Sequence, residues 1–357
     1  MNLANQRGVS GVSGILLVDK PAGITSHDAV SRTRRLAGTR KVGHAGTLDP
    51  MATGLLLLGI NSSTRLLTYV VGLDKEYYAT IRLGSSTTTD DREGEVVTVS
   101  PPGAVLGITP HDLDREIERL TGEIEQVPST VSAIKVDGKR AHALARAGET
   151  VELRSRAVTV SAFEQLNSRS IREDGADYLD LDVRVACSSG TYIRALARDL
   201  GAALGVGGHL TALRRTRIGP FKVTDAAELD GLDVASRLQS PAEIASALFP
   251  TFELDDGQAV DLRHGKRIAA AGLADGGPFA AIAPDGTLVG LLEVAHGRAW
   301  PLVNFPPDET RTGASQIDAS QIDASQTDAS TDASQMDASP TDASPTDASP
   351  TDAGPTA

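Results

Sequence analysis

The chain has 357 residues, 40% of them apolar, a formal net charge of −13 and a single cysteine. That length supports two domains with a proper core, and one cysteine excludes both an intrachain disulfide framework and a cysteine-based zinc site. The longest apolar run, Gly54–Ile60, is far too short to span a membrane, and most of the charge belongs to the end of the chain, where residues 308–357 carry nine Asp, one Glu and one Arg.

The opening MNLANQRGVSGVSG lacks an apolar h-region, so residues 1–13 are expected to be a flexible leader and the protein cytoplasmic. GILLVDKP (14–21) predicts a short buried strand stopped by Pro21. Thr25-Ser26-His27-Asp28 has the spacing of a capped helix start, and Ala29, Val30, Thr33, Leu36 and Ala37 then share one face up to Gly38. KVGHAGTLDPMATGLLLLG (41–59) follows, with His44 and Asp49 among glycines ahead of the apolar run. On its own, Asp49 before Pro50 reads as a helix cap. KEYYATIRLG (75–84) alternates as a strand, with Tyr77, Ala79, Ile81 and Leu83 on one face. A polar turn, 85–95, precedes a helix opened by Thr109-Pro110, with Leu113, Ile117 and Leu120 on its stripe.

Residues 122–152 mix turn and basic residues and predict a long, partly ordered excursion, of the kind that is functional or disordered. YLDLDVRVAC (178–187) alternates cleanly, and after SSGT a helix begins with Ile193, Leu196, Ala197, Leu200 and Leu204 as its buried stripe. Residues 225–248 read as helical. Beyond Pro250 a hairpin around Pro284-Asp285-Gly286 and a strand at 300–305 form a small β-rich module over 251–306. The five-residue repeat that begins near Ser315 has little to bury and predicts disorder over 307–357; its period is too short for a solenoid. Irregular interleaving of strands and helices indicates an α+β fold.

No phosphate-binding loop, nucleophile elbow or His-Glu-x-x-His pair is present, and the seven histidines are scattered. What remains is chemistry that a carboxylate performs unaided. Two basic clusters, Arg32, Arg34, Arg35, Arg40 and Lys41, and Arg214, Arg215, Arg217 and Lys222, contain no acid and suit phosphate contacts, although either alone also reads as a solvated face.

Gly43–Pro50 (GHAGTLDP) resembles the signature of the TruB family of tRNA pseudouridine synthases. So, in order, do GILLVDKPAGIT with Lys20, Asp74–Tyr77, the acidic turn Thr89-Asp90-Asp91, QVPSTVSAIKVDGK (126–139), SGTYIR (189–194) and Leu213-Arg214-Arg215. The resemblance implies a mixed, largely antiparallel catalytic sheet over 14–248, with 122–152 as an RNA-gripping insertion, and a PUA-like RNA-binding module over 251–306. It implies isomerisation of uridine-55 in the T-loop, needing neither cofactor nor metal, by a monomer whose partner is tRNA and not a membrane.

Asp49 matches the family's catalytic aspartate, and Arg194 the cation paired with it. Tyr77 and Tyr192 match pocket tyrosines, and Leu213 an apolar wall. Lys20 and Asp91 match further positions at the substrate site. His44 matches a planar group thought to enter the stack vacated by the flipped base, whose extrusion costs a few kcal/mol. His142, where the family often has Tyr, and Val131, smaller than usual, depart from the pattern within the insertion. Two other readings stay open: an RNA-binding or folding chaperone on the same scaffold, and a glycosidase using Asp49 with Asp90 or Asp91 as a second carboxylate.

Overall fold

The computed structural model describes residues 11–129, 135–136, 139–140 and 153–308. Val131 and His142 lie outside the described residues, as do the repeats after residue 308.

A ten-stranded mixed sheet organises the larger part of the chain. Its strands include β1 (Gly14–Lys20), β2 (Val42–Ala45), β3 (Thr53–Ile60), β4 (Lys75–Leu83), β5 (Gly122–Gln126), β6 (Arg156–Glu173), β7 (Ala176–Cys187), β8 (Gly208–Ile218) and β9 (Ala227–Glu228). The main path runs β9-β1-β3-β8-β4-β7-β6-β5, with β2 paired to β3. The β1·β9 and β3·β8 pairs are parallel and the other neighbours antiparallel. Helices α1 (Ser26–Ala37), α2 (Pro110–Arg119) and α3 (Ile193–Ala203) pack on it. As the sequence indicated, Thr25 and Asp28 close a capping box on α1, and Gly38 ends it in the left-handed region. The arrangement is the α+β fold expected.

Three differences from the sequence reading have plain causes. The run after Asp49 is strand β3, not a helix, so Asp49 has no helix to cap; the strand is buried on both faces, which removes the alternation that would have marked it. Strands β6 and β8 went unread. Most of β6 is an exposed arm paired with β7 and polar on both faces. In β8 the inward positions carry arginine as well as leucine. Finally, 225–248 is not one helical stretch but β9, a single turn at Val234–Arg237 and a helix at Pro241–Leu248.

The C-terminal module is a five-stranded sheet, ordered Thr251–Glu253, Gly276–Ile282, Leu288–Ala295, Arg298–Asn304, Ile268–Ala269, with a helix at Asp256–Arg263. Its Ala280, Leu288, Leu291 and Phe305 share a core with Ile15, Leu17, Leu55 and Leu57 of β1 and β3. The strands behind the Asp49 loop are therefore packed from both sides, and buried apolar area of this kind is the main stabilising term.

β3 and β8 meet for only two residue pairs, Thr53 with Arg214 and Gly54 with Arg215. Gly54 has φ +102°, and a Cβ there would stand 2.2 Å from the Arg215 carbonyl oxygen. Only glycine allows this contact. Gly54→Ala is expected to cost about 3 kcal/mol through strain and overpacking. Gly72→Ala, where a Cβ meets nothing within 4 Å, should shift stability by under about 0.5 kcal/mol. Denaturant midpoints of the two variants check this; equal midpoints would refute it.

Candidate active site

Asp49 lies in the turn between β2 and β3, a turn held from below by other elements. Ser26 at the start of α1 donates from its hydroxyl to the Leu48 carbonyl at 3.1 Å and accepts from the Leu48 amide at 2.8 Å. The Gly23 amide donates to the Pro50 carbonyl at 2.8 Å. Lys20, at the end of β1 and fully buried, donates to the carbonyls of Pro21 at 2.9 Å, Ile24 at 2.8 Å and Pro50 at 3.4 Å. Burial lowers the Lys20 ammonium to about 8, with Asp49 acting in the opposite direction. Lys20 thus stands beneath the Asp49 loop as a fastening, not on the wall of the cavity above it.

Above the loop is a cavity of about 290 Å³. Asp49, Tyr77, Tyr192, Arg194 and Leu213 all line it, from five separate elements and loops of the chain. Arg194, in the first turn of α3 and only 5% exposed in its side chain, grips Asp49 with two nitrogens: Nε to Oδ2 at 2.9 Å and Nη2 to Oδ1 at 3.3 Å. Such a forked pair fixes the carboxylate in direction as well as charge. Burial pushes the Asp49 carboxyl above the usual aspartate range; Arg194 opposes this, and Asp91 adds to it.

Arg194 is itself braced. Its Nη1 donates to the Thr89 carbonyl at 2.9 Å and lies 3.5 Å from Asp91 Oδ2. Asp91 is buried, accepting from the Thr89 hydroxyl at 2.6 Å and the Glu93 amide at 3.0 Å. It supports the arginine from behind and does not line the cavity. Asp90 accepts from the Ser129 hydroxyl at 2.6 Å and from Arg198 at 3.3 Å. The acidic turn therefore holds the two arginines of α3, and the second free carboxylate that a glycosidase needs is not on the cavity wall.

Tyr77 is 7% exposed and points inward from β4, as its alternation required. Burial raises its phenol above the usual range, and the charge of the nearby Arg215 acts in the opposite direction. Tyr192 sits at the N-cap of α3. There the buried Gln126 clamps its backbone, accepting from the Tyr192 amide at 2.8 Å and donating to its carbonyl at 3.1 Å.

His44 lies in β2 opposite Leu58, in a strand and not a loop, and the cavity wall begins two residues beyond it at Gly46. The ring is half-buried, and its Nδ1 is buried with no hydrogen-bond partner among the described residues. Burial, with Arg215 and His27 nearby, lowers its pKa, so the ring is neutral near pH 7.

The basic clusters are less free than composition suggested. Arg215 is 1% exposed, bonding the carbonyls of Leu55 at 2.8 Å and Gly46 at 3.0 Å. Arg214 forks onto Asp19 at 2.6 and 3.0 Å, and Arg32 pairs with Asp230 at 3.2 Å. Arg35, Arg40, Lys41 and Lys222 remain exposed to solvent. Among the described residues no group of three His, Cys, Asp or Glu is placed to hold a metal ion, and no helix is long and apolar enough to cross a membrane.

Sequence reasoning missed Ser26, Gln126, Lys75 and Arg215. A signal existed for one of them: the alternation that turns Tyr77 inward turns Lys75 inward too.

Comparison with known proteins decides the family. Residues 34–193 match the model described as TruB family pseudouridylate synthase (N terminal domain). Residues 194–251 match the tRNA pseudouridylate synthase B C-terminal domain, and residues 249–306 the model described as tRNA Pseudouridine synthase II, C terminal. The chain is 62% identical to tRNA pseudouridine synthase B of Leifsonia xyli subsp. xyli, over 83% of this chain and 98% of that one. It is 54% identical to the protein of the same name from Arthrobacter sp., over 85% and 99%. The chain belongs to the TruB family of pseudouridylate synthases. It is an isomerase.

Among solved structures, the chain is similar to one in an H/ACA RNP bound to a substrate RNA containing 2′-deoxyuridine. Identity there is 25% and the TM-score 0.58, over 83% of this chain and 86% of that one. A chain of a Cbf5-Nop10-Gar1 complex is 27% identical, with TM-score 0.56, over 81% and 80%.

The pairing of Asp49 has a measurable consequence. The ionised form of Asp49 is lost as pH drops through its raised pKa, and activity that needs that form is expected to fall with it. Arg194 pulls that pKa down, and removing it must move the acid limb to higher pH. Arg194→Lys, which keeps a charge but loses the fork, is expected to lower turnover at least about tenfold and shift the limb upward by less than Arg194→Ala does. Profiles of kcat against pH check both; an unmoved acid limb in Arg194→Ala would refute the coupling.

Proposed function

We propose that this enzyme converts uridine-55 in the T-loop of tRNA to pseudouridine, with Asp49 as the group that assists cleavage of the N1–C1′ bond. The observation that carries the reading is the forked Asp49–Arg194 pair on the wall of a cavity beside Tyr77. A cavity of about 290 Å³ admits a single extruded nucleotide and not a base still stacked in its helix. The naming of its relatives as tRNA pseudouridine synthase B supports tRNA as the substrate.

In this reading the base enters above the Asp49 loop with its ring against Tyr77, between Tyr192 and Leu213. Asp49, held by Arg194, faces the sugar. The N1–C1′ bond breaks, the uracil turns, and C5 rejoins C1′; the C5 proton is lost and N1 gains one, so no redox change or hydrolysis occurs. Tyr77 is placed to relay the C5 proton: its phenol takes that proton as it gives up its own, and it ends protonated as it began. His44, neutral and with an unused ring nitrogen, occupies the vacated place in the T-loop stack. Exposed Arg35, Arg40, Lys41 and Lys222 contact phosphates and give a salt-dependent affinity, while loop shape and splayed bases give selectivity. The C-terminal module is a PUA-like second RNA contact, residues 14–248 are the catalytic domain, and the enzyme works as a monomer in the cytoplasm without a cofactor.

The test is incubation of unmodified tRNA with wild type and Asp49→Asn, followed by mapping of pseudouridine. Wild type should modify position 55, and Asp49→Asn should be slower by at least about 10³-fold while binding tRNA within threefold of wild type. Modification at another position overturns the site assignment. Equal rates overturn the role of Asp49.

A further inference from the structure

The charges on the cavity wall do not balance. Among the described residues that line it, Asp49 is the one carboxylate, against three cations, Lys75, Arg194 and Arg215. Arg194 is matched by Asp49 and by Asp91 behind it. Lys75 and Arg215 have no such match. Lys75 is 6% exposed, and its ammonium donates to the carbonyls of Val71 at 2.9 Å and Leu73 at 2.5 Å. Arg215 spends its bonds on the Leu55 and Gly46 carbonyls.

The two cations converge on one place. A Cβ at Gly46, were there one, would lie 3.3 Å from Arg215 Nη1 and 3.7 Å from Lys75 Cε. Gly46 has φ +76°, and its missing side chain lets both approach the turn that leads to Asp49. The nearest thiol, Cys187, is raised to about 11 and is neutral. Asp74, next in sequence to Lys75, is exposed to solvent, where its charge is screened.

Buried charge is costly unless something answers it. Carbonyl dipoles answer part of that cost for two cations but leave the cavity electropositive at this end. We propose that Lys75, backed by Arg215, is a further catalytic group: its ammonium donates to a carbonyl oxygen of uracil and stabilises the negative charge that the ring acquires when the N1–C1′ bond breaks. The inference rests on the reading of the reaction given above. The electron pair of the broken bond goes to N1 and spreads to O2 and O4; when C5 forms its bond to C1′ and loses its proton, N1 takes up a proton and the charge is gone. A donor already fixed where charge develops costs no reorganisation at the moment of reaction. Burial brings Lys75 to about 8, so it still carries its proton at neutral pH. Tyr77, two residues along the same face of β4, places the ring within reach of it.

Lys75→Met keeps length and volume and removes the charge; Lys75→Arg keeps the charge. Single-turnover rates on a T-arm RNA are compared for uridine and for 5-fluorouridine at the target position. Fluorine withdraws electrons and makes uracil the better leaving group, so it depends less on outside stabilisation. Lys75→Met is expected to slow the uridine substrate about 100-fold, with RNA affinity within threefold of wild type. It should slow consumption of 5-fluorouridine by less than a tenth of that factor, and Lys75→Arg should recover part of the loss. An equal loss on both substrates would make Lys75 merely structural and overturn the proposal. Weakened RNA binding with unchanged single-turnover rate at saturation would place a backbone phosphate, not the base, on Lys75, and overturns it too. If wild type forms no pseudouridine at all, the reading of the reaction fails first, which a wild-type control separates from failure of the Lys75 role.

Discussion

The rest of the site depends on one interaction: a partly buried carboxylate at the cavity wall is held in direction by a buried arginine. Arg194 does so with a fork onto both oxygens of Asp49. A fork needs its base held still, and the fold supplies that from three directions. The first turn of α3 carries the guanidinium, the 89–91 turn grips its far nitrogen, and Gln126 fixes the backbone where the helix begins. The acidic turn is thus a brace for a cation, and its negative charge partly undoes what the cation does to Asp49. The net result is a carboxyl somewhat easier to protonate than a free aspartate, in a place where its direction is settled.

The Asp49 loop is fastened with equal care on its other side. Lys20, Gly23 and Ser26 all reach the backbone between Leu48 and Pro50. Fully burying an ammonium at the end of β1 is expensive, and its return is three carbonyls tied to one centre and a positive charge below Asp49. Beneath that layer β1 and β3 are buried on both faces, and the C-terminal module closes the outer side. A rigid floor and a mobile substrate is the usual division of labour where orientation supplies much of the rate.

Much of this was legible in the residues, and what was not has a common cause. α1 and its cap, β4 with Tyr77 inward, β7 and α3 all follow from periodicity. From its own stretch Asp49 could not be told from a cap, because Asp-Pro before an apolar run serves both uses. The order of the motifs, not any one of them, separated the two. What escaped was polar burial. Reading by hydropathy assigns cations to the surface, so Arg215, Lys75 and Lys20 were either counted as phosphate contacts, passed over, or placed against substrate. Their true positions depend on carbonyls supplied by residues far away in the chain, and no local pattern records those. For the same reason β8, which alternates arginine with leucine on its inner face, did not read as a strand.

On the reaction and the Lys75 role proposed above, the buried cations also account for a cleavage and a rejoining in so small a site without release of the intermediate. A reaction that separates charge needs both ends supported. In that proposal Asp49 faces the electron-poor sugar and Lys75, backed by Arg215, the electron-rich base, across a cavity of about 290 Å³. The separated state is then supported by groups already in place. The same polarity opposes escape: a uracil anion leaving this cavity would exchange two fixed cations for solvent. Rotation in place followed by C–C bond formation then becomes the lower path, and an arrangement of charges that would otherwise make a hydrolase yields an isomerase.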